Sequence, residues 1–371
     1  MIYLDYNATA PTKPAVRAAV MEAMERHGNP SSVHRYGRVA KKHIEAARAS
    51  VAAFIGVKPA QVIFTSGGTE ANNMVLRRTG AAPIITSSIE HDSVLACAPD
   101  AARIPVDADG VIDLAAVQAI LAGAPPSLVS VMLVNNETGV IQPVAELARV
   151  AKAHGHLVHT DAVQAAGRIA IDFTALGVDF LTLSAHKIGG PQGIGALIAG
   201  PKVTLQSLLK GGGQEMNRRA GTENVAGIEG FGVAAQLAAD DLLAVPRLTK
   251  GRDELQSRLV DIGGDDAVIP GARAPRVANT LCIAMRGVPS ETQVMGMDLE
   301  GIAVSAGSAC SSGKVKASHV LQAMGCANDI AGSGLRISLG WNTQSTDLAR
   351  CAEAWRTLYQ RTHTNRRQKA A

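Results

Sequence analysis

The stretch "FLTLSAHKIGGPQGIGALI", residues 180–198, puts Ser184, His186 and Lys187 at the end of an apolar run, just ahead of a glycine-rich turn. An amine at such a strand end, loosely wrapped by glycines, would be desolvated yet reachable. Desolvation lowers a lysine pKa, and the neutral nitrogen can then form an imine with an aldehyde and later shuttle a proton. A lysine whose amine snorkels out of a strand end is the ordinary alternative, so the neighbours must decide. "HLVHTDAVQAAG", residues 156–167, brings Asp161 to the end of a second apolar run, with Gln164 three residues on. A carboxylate keeps a pyridine nitrogen protonated and makes its ring an electron sink, while a side-chain amide can hold a ring oxygen. A pyridoxal phosphate ring needs both. Two rival readings of this stretch are a turn cap at Asp161 and a metal set of His154, His156, His159 and Asp161. Helix-end and strand geometry would point those four in different directions.

Two glycine-rich stretches complete the set. In "VIFTSGGTEANN", residues 62–73, Ser66, Gly67, Gly68 and Thr69 lie between a strand and a helix. Free amides and a helix amino terminus converge there, which suits a phosphate as well as it suits an ordinary turn capped by Thr69. "SAGSACSSGKVK", residues 305–316, carries Cys310. A phosphate-binding loop needs one residue fewer between its glycines and a Ser or Thr after its lysine, whereas Val315 follows Lys314 here. Zinc pairing is disfavoured because Cys97, Cys282, Cys310, Cys326 and Cys351 never fall two or three residues apart. Cys310 is left as a nucleophile on a pliable loop or a small packed cysteine, and the other four cysteines read as packing. No metal site is expected.

The elements that must position these residues follow from patterning. The 371 residues, 47% hydrophobic and 18% charged, exceed one typical domain of roughly 100–200 residues, so two lobes are expected. Apolar runs "VIFT", "PIIT", "RIPV", "LVSVMLV", "HLVHTD" and "FLTLSAHK" alternate with helical patterns such as 35–55 and 143–156. That alternation predicts an α/β fold with a mainly parallel sheet covered by helices, and ligands in such sheets sit at the carboxyl ends of the strands. A long Ala-rich helical stretch near 223–262 precedes short strands, "VANTLCI" and "LRISLG", that predict a smaller α+β lobe. The domains read as 13–255 for the large lobe, and 1–12 with 256–371 for the small one.

Charge and cysteine usage exclude several classes. Lys plus Arg exceed Asp plus Glu by 36 − 32 = +4, spread along the chain apart from a terminal "RRQKAA" read as a solvated tail. No nucleic acid or acidic membrane partner is expected, and the substrate should be small. No apolar run approaches the ~18–20 residues that cross a bilayer. An odd cysteine count and a start without a secretory pattern predict a cytoplasmic protein.

The full set of motifs resembles the cysteine desulfurases of the NifS and IscS type, in the class V branch of fold-type I pyridoxal-phosphate enzymes. It runs nearly the whole chain, in order: "YLDYNATAP", "HGNPSSVHRYGR", "TSGGTEANN", "SIEHDSVL", "VNNETGV", "TDAVQ", "SAHKIGGPQGIG", "GGGQEMNRRAGTEN", "GSACSSG" and "LRISLG". The resemblance implies a large domain with a seven-stranded sheet and a smaller carboxyl-terminal domain. It implies pyridoxal 5′-phosphate bound as an imine to Lys187, with Asp161 facing the pyridine nitrogen, Gln164 the phenolic oxygen and His91 stacked over the ring. Gly68, Thr69, Ser184 and His186 would bind the phosphate, joined by Thr222 of a neighbouring subunit, hence a homodimer. Asn136 and Arg336 would take the carboxylate of L-cysteine, with Asn7 close by. Cys310 would accept the sulfur as a persulfide, leave L-alanine, and pass the sulfur to an acceptor protein for iron-sulfur cluster assembly or other thio-cofactors. Selenocysteine lysis, transamination and a non-catalytic thiol carrier are the alternatives. Ala185, where some relatives carry glycine, and the tail "TLYQRTHTNRRQKAA" depart from the pattern, which leaves the acceptor open.

Overall fold

The computed structural model describes residues 1–77, 83–307 and 317–370, with side chains described through residue 362. A short strand β1 (Ile2–Tyr3) opens the chain. Seven strands follow, β2 (Val62–Thr65), β3 (Ile84–Ser87), β4 (Ala102–Ile104), β5 (Leu128–Ser130), β6 (Leu157–Asp161), β7 (Phe180–Ser184) and β8 (Gly195–Ala199), and form one sheet in the order β2-β8-β7-β6-β5-β3-β4. Only β8 runs against the rest. β2 and β7 are buried along their whole length, as strands of a sheet covered on both faces must be, so they read as continuous apolar runs.

Helix Arg35–Phe54 shows why the covering layer forms. Its buried residues Gly37, Ala40, Ile44, Ala47, Val51 and Ala52 recur at three- and four-residue steps, and His34 caps its start by accepting from Gly37 N. The helix packs on Val225–Asp241, and the approach is close because a Cβ at Gly232 would lie 2.7 Å from Ala47 Cα. The expected single helical stretch at 223–262 is two helices, Val225–Asp241 and Val245–Gly263, separated by a turn at Leu242–Ala244. Pro246, without an N–H, cannot bond back into the first helix, so the second sets off in its own direction.

That second helix leads into the small lobe. Strands β9 (Ala267–Val268), β10 (Thr280–Met285), β11 (Ile302–Ala303), β12 (Ser305–Ala306) and β13 (Gly334–Ser338) complete the set. An antiparallel sheet runs β12-β13-β10-β9, while β1 pairs in parallel with β11, so the chain's first residues belong to this lobe. Leu4, Leu255, Leu259, Ile283, Ile337 and Trp355 share its core, each fully buried apolar side chain contributing roughly 2 kcal/mol. Among the described residues no helix is long and apolar enough to cross a membrane.

Candidate active site

The pocket lies where β6 and β7 end and where the chain leaves β2 and β3. Asp161 is the last residue of β6 and Ser184 the last of β7, which continues into a tight helical turn, Ala185–Lys187. Gly68 and Thr69 begin the helix Gly68–Arg77 that follows β2. Gly195 of β8 pairs with both Thr65 and Ser184, and a Cβ there would sit 2.7 Å from the Gly67 carbonyl carbon, so glycine lets the turn after β2 fold over the sheet end. The glycines after Lys187 do not leave it loosely wrapped, as the sequence suggested. A Cβ at Gly190 would meet Ala185 Cβ at 2.8 Å, and Gly189, at φ +75°, lies against Lys13. They serve to make the turn tight.

Within this frame nine of the expected residues line one pocket: Gly68, Thr69, His91, Asn136, Asp161, Gln164, Ser184, His186 and Lys187. Lys187 Nζ donates to the carbonyls of Asn7 at 2.5 Å and Ala8 at 2.8 Å. Asp161 accepts from Val163 N through Oδ1 at 2.9 Å and from Asn72 Nδ2 through Oδ2 at 2.8 Å. Asn72 Nδ2 also donates to Ser93 Oγ, and Ser93 N donates to His91 Nδ1 at 3.1 Å. A backbone N–H on Nδ1 leaves the imidazole proton on Nε2, and burial holds the His91 pKa below the usual histidine value. His186 touches Thr9 Oγ1 at 3.2 Å, and burial, with the Lys187 charge beside it, pushes its pKa down to about 4. Both rings are neutral near pH 7.

Three expected residues sit beyond the pocket wall. Asn7 reaches it through its carbonyl, while its side chain holds Thr280 and the Asn136 carbonyl. Arg336, in mid-strand on β13, donates to Asn136 O at 3.1 Å and to Asp5 Oδ1 at 3.0 Å, and its buried Nε has no partner among the described residues. Thr222 is exposed and does not line the pocket. Its segment is fixed by Glu215, which sits at φ +47° and forms a buried two-pronged pair with Arg48 at 2.7 and 2.8 Å. Cys310 lies outside the described residues.

Two of the three histidines of the rival metal reading have other partners. His156 accepts from Ser127 N, and His159 lies between Ser130 Oγ and Thr182 Oγ1. Cys282 and Cys351 are fully buried, and burial pushes the Cys351 thiol up to about 12, so it stays a packed thiol.

The sequence reading missed Asn72, Ser93, Asp5 and Arg168. Asn72 was findable, because it lies four residues after Gly68 on one helix face. Ser93 carried a local signal too, two residues after a histidine at a helix start. Asp5 had none, since its partner Arg336 is 331 residues away.

Residues 2–351 match the family model described as aminotransferase class-V. The chain is 40% identical over 366 residues to "Cysteine desulfurase IscS" of Dictyoglomus turgidum, covering 94% of this chain and 91% of the relative. It is 41% identical over 365 residues to "Cysteine desulfurase" of Rhodobacter capsulatus, covering 94% of each. A solved NifS-like protein from Rickettsia africae superimposes with a TM-score of 0.91 at 36% identity, over 97% of this chain and 99% of that one.

Proposed function

The chain belongs to the class-V aminotransferase family and is a pyridoxal 5′-phosphate-dependent cysteine desulfurase, and we propose that the pocket at the ends of β6 and β7 is where it works. One observation carries this: an amine, a carboxylate, a neutral imidazole and a helix amino terminus converge on a single cavity.

The donor set fits the cofactor. Asp161 suits the pyridine nitrogen, the amides of Gly68 and Thr69 with the Ser184 hydroxyl suit the phosphate, and Lys187 Nζ suits the aldehyde end. A Cβ at Gly68 would come 3.0 Å from Val163 Cγ2, so glycine leaves this wall open without displacing Val163. Asn72 lines the pocket, and its Oδ1 is a buried polar atom without a hydrogen-bond partner among the described residues, as expected of a group that completes its bonding with a ligand. When bound, the cofactor supplies an aldehyde for amines and an electron sink that acidifies the substrate's Cα proton and makes its sulfur a leaving group.

The chain's own residues do the rest. Arg336 and Asn136 hold the carboxylate of L-cysteine, the guanidinium presenting a planar fork. Lys187 Nζ, which would hold the aldehyde end of the cofactor, is the amine that would take the substrate's Cα proton. His91 covers the ring and, neutral with its proton on Nε2, is able to pass a proton on. The Cys310 thiolate attacks the substrate sulfur, so that a sulfur–sulfur bond forms as the carbon–sulfur bond breaks. The electron pair stays with the carbon skeleton, which takes up protons and leaves as L-alanine. Thr222 serves the phosphate of a second copy, making the active unit a homodimer. The persulfide then goes to an acceptor protein in the cytoplasm, for iron-sulfur cluster assembly or other thio-cofactors. In this reading the lobes divide as 13–255, and 1–12 with 256–371.

The test is to incubate the purified protein with L-cysteine and measure alanine together with sulfur bound on Cys310. Equal amounts are expected in a single turnover, and Cys310→Ala should stop cysteine turnover. Undiminished turnover in that variant would sink the sulfur-transfer role and favour transamination, which needs no thiol at this position.

A further inference from the structure

Arg168 is a buried cation with no carboxylate against it. It is 8% exposed, and among the described residues it forms no ion pair; the Arg336 guanidinium is close enough to repel it. An uncompensated buried charge is costly to keep unless it acts on something nearby. What Arg168 touches is Gln164. Its Nη1 donates to the Gln164 carbonyl at 2.9 Å and also to Gln164 Oε1. The tight turns of residues 162–169 bring the two together, Ala166 N and Ile169 N donating back to Ala162 O and Ala165 O.

This contact decides how the Gln164 amide is turned. A guanidinium only donates, so the atom it grips is the amide oxygen. At the other end Gln164 Nε2 donates to the Asn7 carbonyl at 3.0 Å, and a carbonyl only accepts. The orientation is therefore set from both sides by chemistry, although side-chain amide oxygens and nitrogens are otherwise hard to tell apart. Nε2 carries a second N–H, and Gln164 lines the pocket. The same Asn7 carbonyl receives Lys187 Nζ, so the amide and the amine share one anchor.

We propose that Arg168 is a positioning residue for the cofactor's ring oxygen: it turns the Gln164 NH2 toward the pocket, and its unpaired charge favours the ionised form of that oxygen. The proposal rests on the reading of this pocket as the pyridoxal-phosphate site. Without Arg168, Gln164 Oε1 loses its partner, the amide is free to rotate, and the nearby positive charge disappears.

The experiment loads wild type, Arg168→Met and Arg168→Lys with pyridoxal 5′-phosphate and follows the visible absorption of the bound cofactor against pH, with circular dichroism to check folding. The Met variant is expected to titrate about one pH unit higher than wild type, the size of shift that one nearby charge produces. Lys, which keeps charge and a donor but cannot fork, should recover part of that shift. A folded Met variant with the wild-type midpoint, or a Lys variant displaced as far as the Met variant, overturns the proposal. Should Arg168→Met not fold, Gln164→Met removes the gripped amide and spares the charge. A smaller upward shift is expected there, and an unmoved midpoint overturns the positioning role. Failure of the wild type itself to take up the cofactor would instead overturn the reading of the pocket, which is a different result.

Discussion

The two sheets deliver their functional side chains in different ways. In the parallel sheet, Asp161 and Ser184 stand on the last residues of their strands, and Gly68, His91 and Lys187 lie within four residues of a strand end. In the small antiparallel sheet, Arg336 sits in mid-strand, opposite Cys282 on one side and Ser305 on the other, and Asp5 reaches it from the other end of the chain. A strand-end residue is held in part by its own sequence neighbours, as Asp161 is by Val163 N and His91 is by Ser93 N, beside distant partners such as Asn72 for Asp161 and the Asn7 and Ala8 carbonyls for Lys187. A mid-strand residue is held by distant segments that must dock before it has a position at all. Removing the first kind should cost chemistry with little stability, and removing the second should cost both.

Lys187→Ala is the largest expected effect and tests the first half of that contrast. Loss of the proton-moving amine should lower alanine production by roughly 10²–10⁴-fold. Asn7 O keeps the Gln164 donor, so stability measured by urea unfolding should change by no more than about 1 kcal/mol. A large loss of stability would mean that the strand end is held by the lysine rather than by its backbone. Arg336→Met tests the other half. It strips a nearly buried carboxylate, Asp5, of its charged partner and leaves on it, among the described residues, the Ser305 hydroxyl, which should cost roughly 3 kcal/mol of stability while raising KM for cysteine. Adding Asp5→Asn should return part of the stability but none of the substrate affinity. If Arg336→Met unfolds at the same urea concentration as wild type, the two regions do not differ in the way argued.

The same contrast explains what the sequence made legible. Strand-end residues are readable because an apolar run stops and polar residues follow at once, as in "TLSAHK" and "VHTDAVQ", and a parallel α/β sheet presents ligands at that junction. The helix Arg35–Phe54 was readable from its period alone. The Asp5–Arg336 pair was not, because nothing local records a contact across 331 residues. The tightness of the turn after Lys187 was misread, since glycine in a sequence is compatible with either looseness or close approach. Gly189 and Gly190 are close approaches, which only the packing of Lys13 and Ala185 reveals. The resemblance supplied Arg336, Asn136 and Thr222; Arg336 takes its place from contacts with Asp5 and Asn136, both far from it in sequence.

The smallest expected effect concerns two buried titratable groups behind the strand ends, whose contributions to pH-dependent stability have opposite signs. Burial pushes the Glu90 pKa up to about 8, with Ser87 Oγ and Met132 N donating to one oxygen and the other buried without a partner. The folded protein therefore holds a proton at neutral pH that the unfolded chain releases. The stability this contributes is complete below the unfolded carboxyl range and is lost as pH rises toward about 8. His159 works the other way: burial lowers its pKa to about 4, so the unfolded chain takes up a proton first and stability falls as pH drops below about 6.5. Taken together these groups give a plateau between about pH 4.5 and about pH 6.5, where the Glu90 loss and the His159 gain cancel, and a decline above it. Glu90→Gln keeps an acceptor for Ser87 and Met132 and removes the titration. Between about pH 6.5 and about pH 8 wild type should therefore lose roughly 2 kcal/mol more than this variant in urea unfolding. His159→Asn should alter only the acid side, gaining roughly 1 kcal/mol on wild type between about pH 6.5 and about pH 5.5. Parallel wild-type and Glu90→Gln curves on the alkaline side would show that Glu90 is ionised in the folded protein, and that Arg103 or another cation compensates it more fully than the geometry indicates.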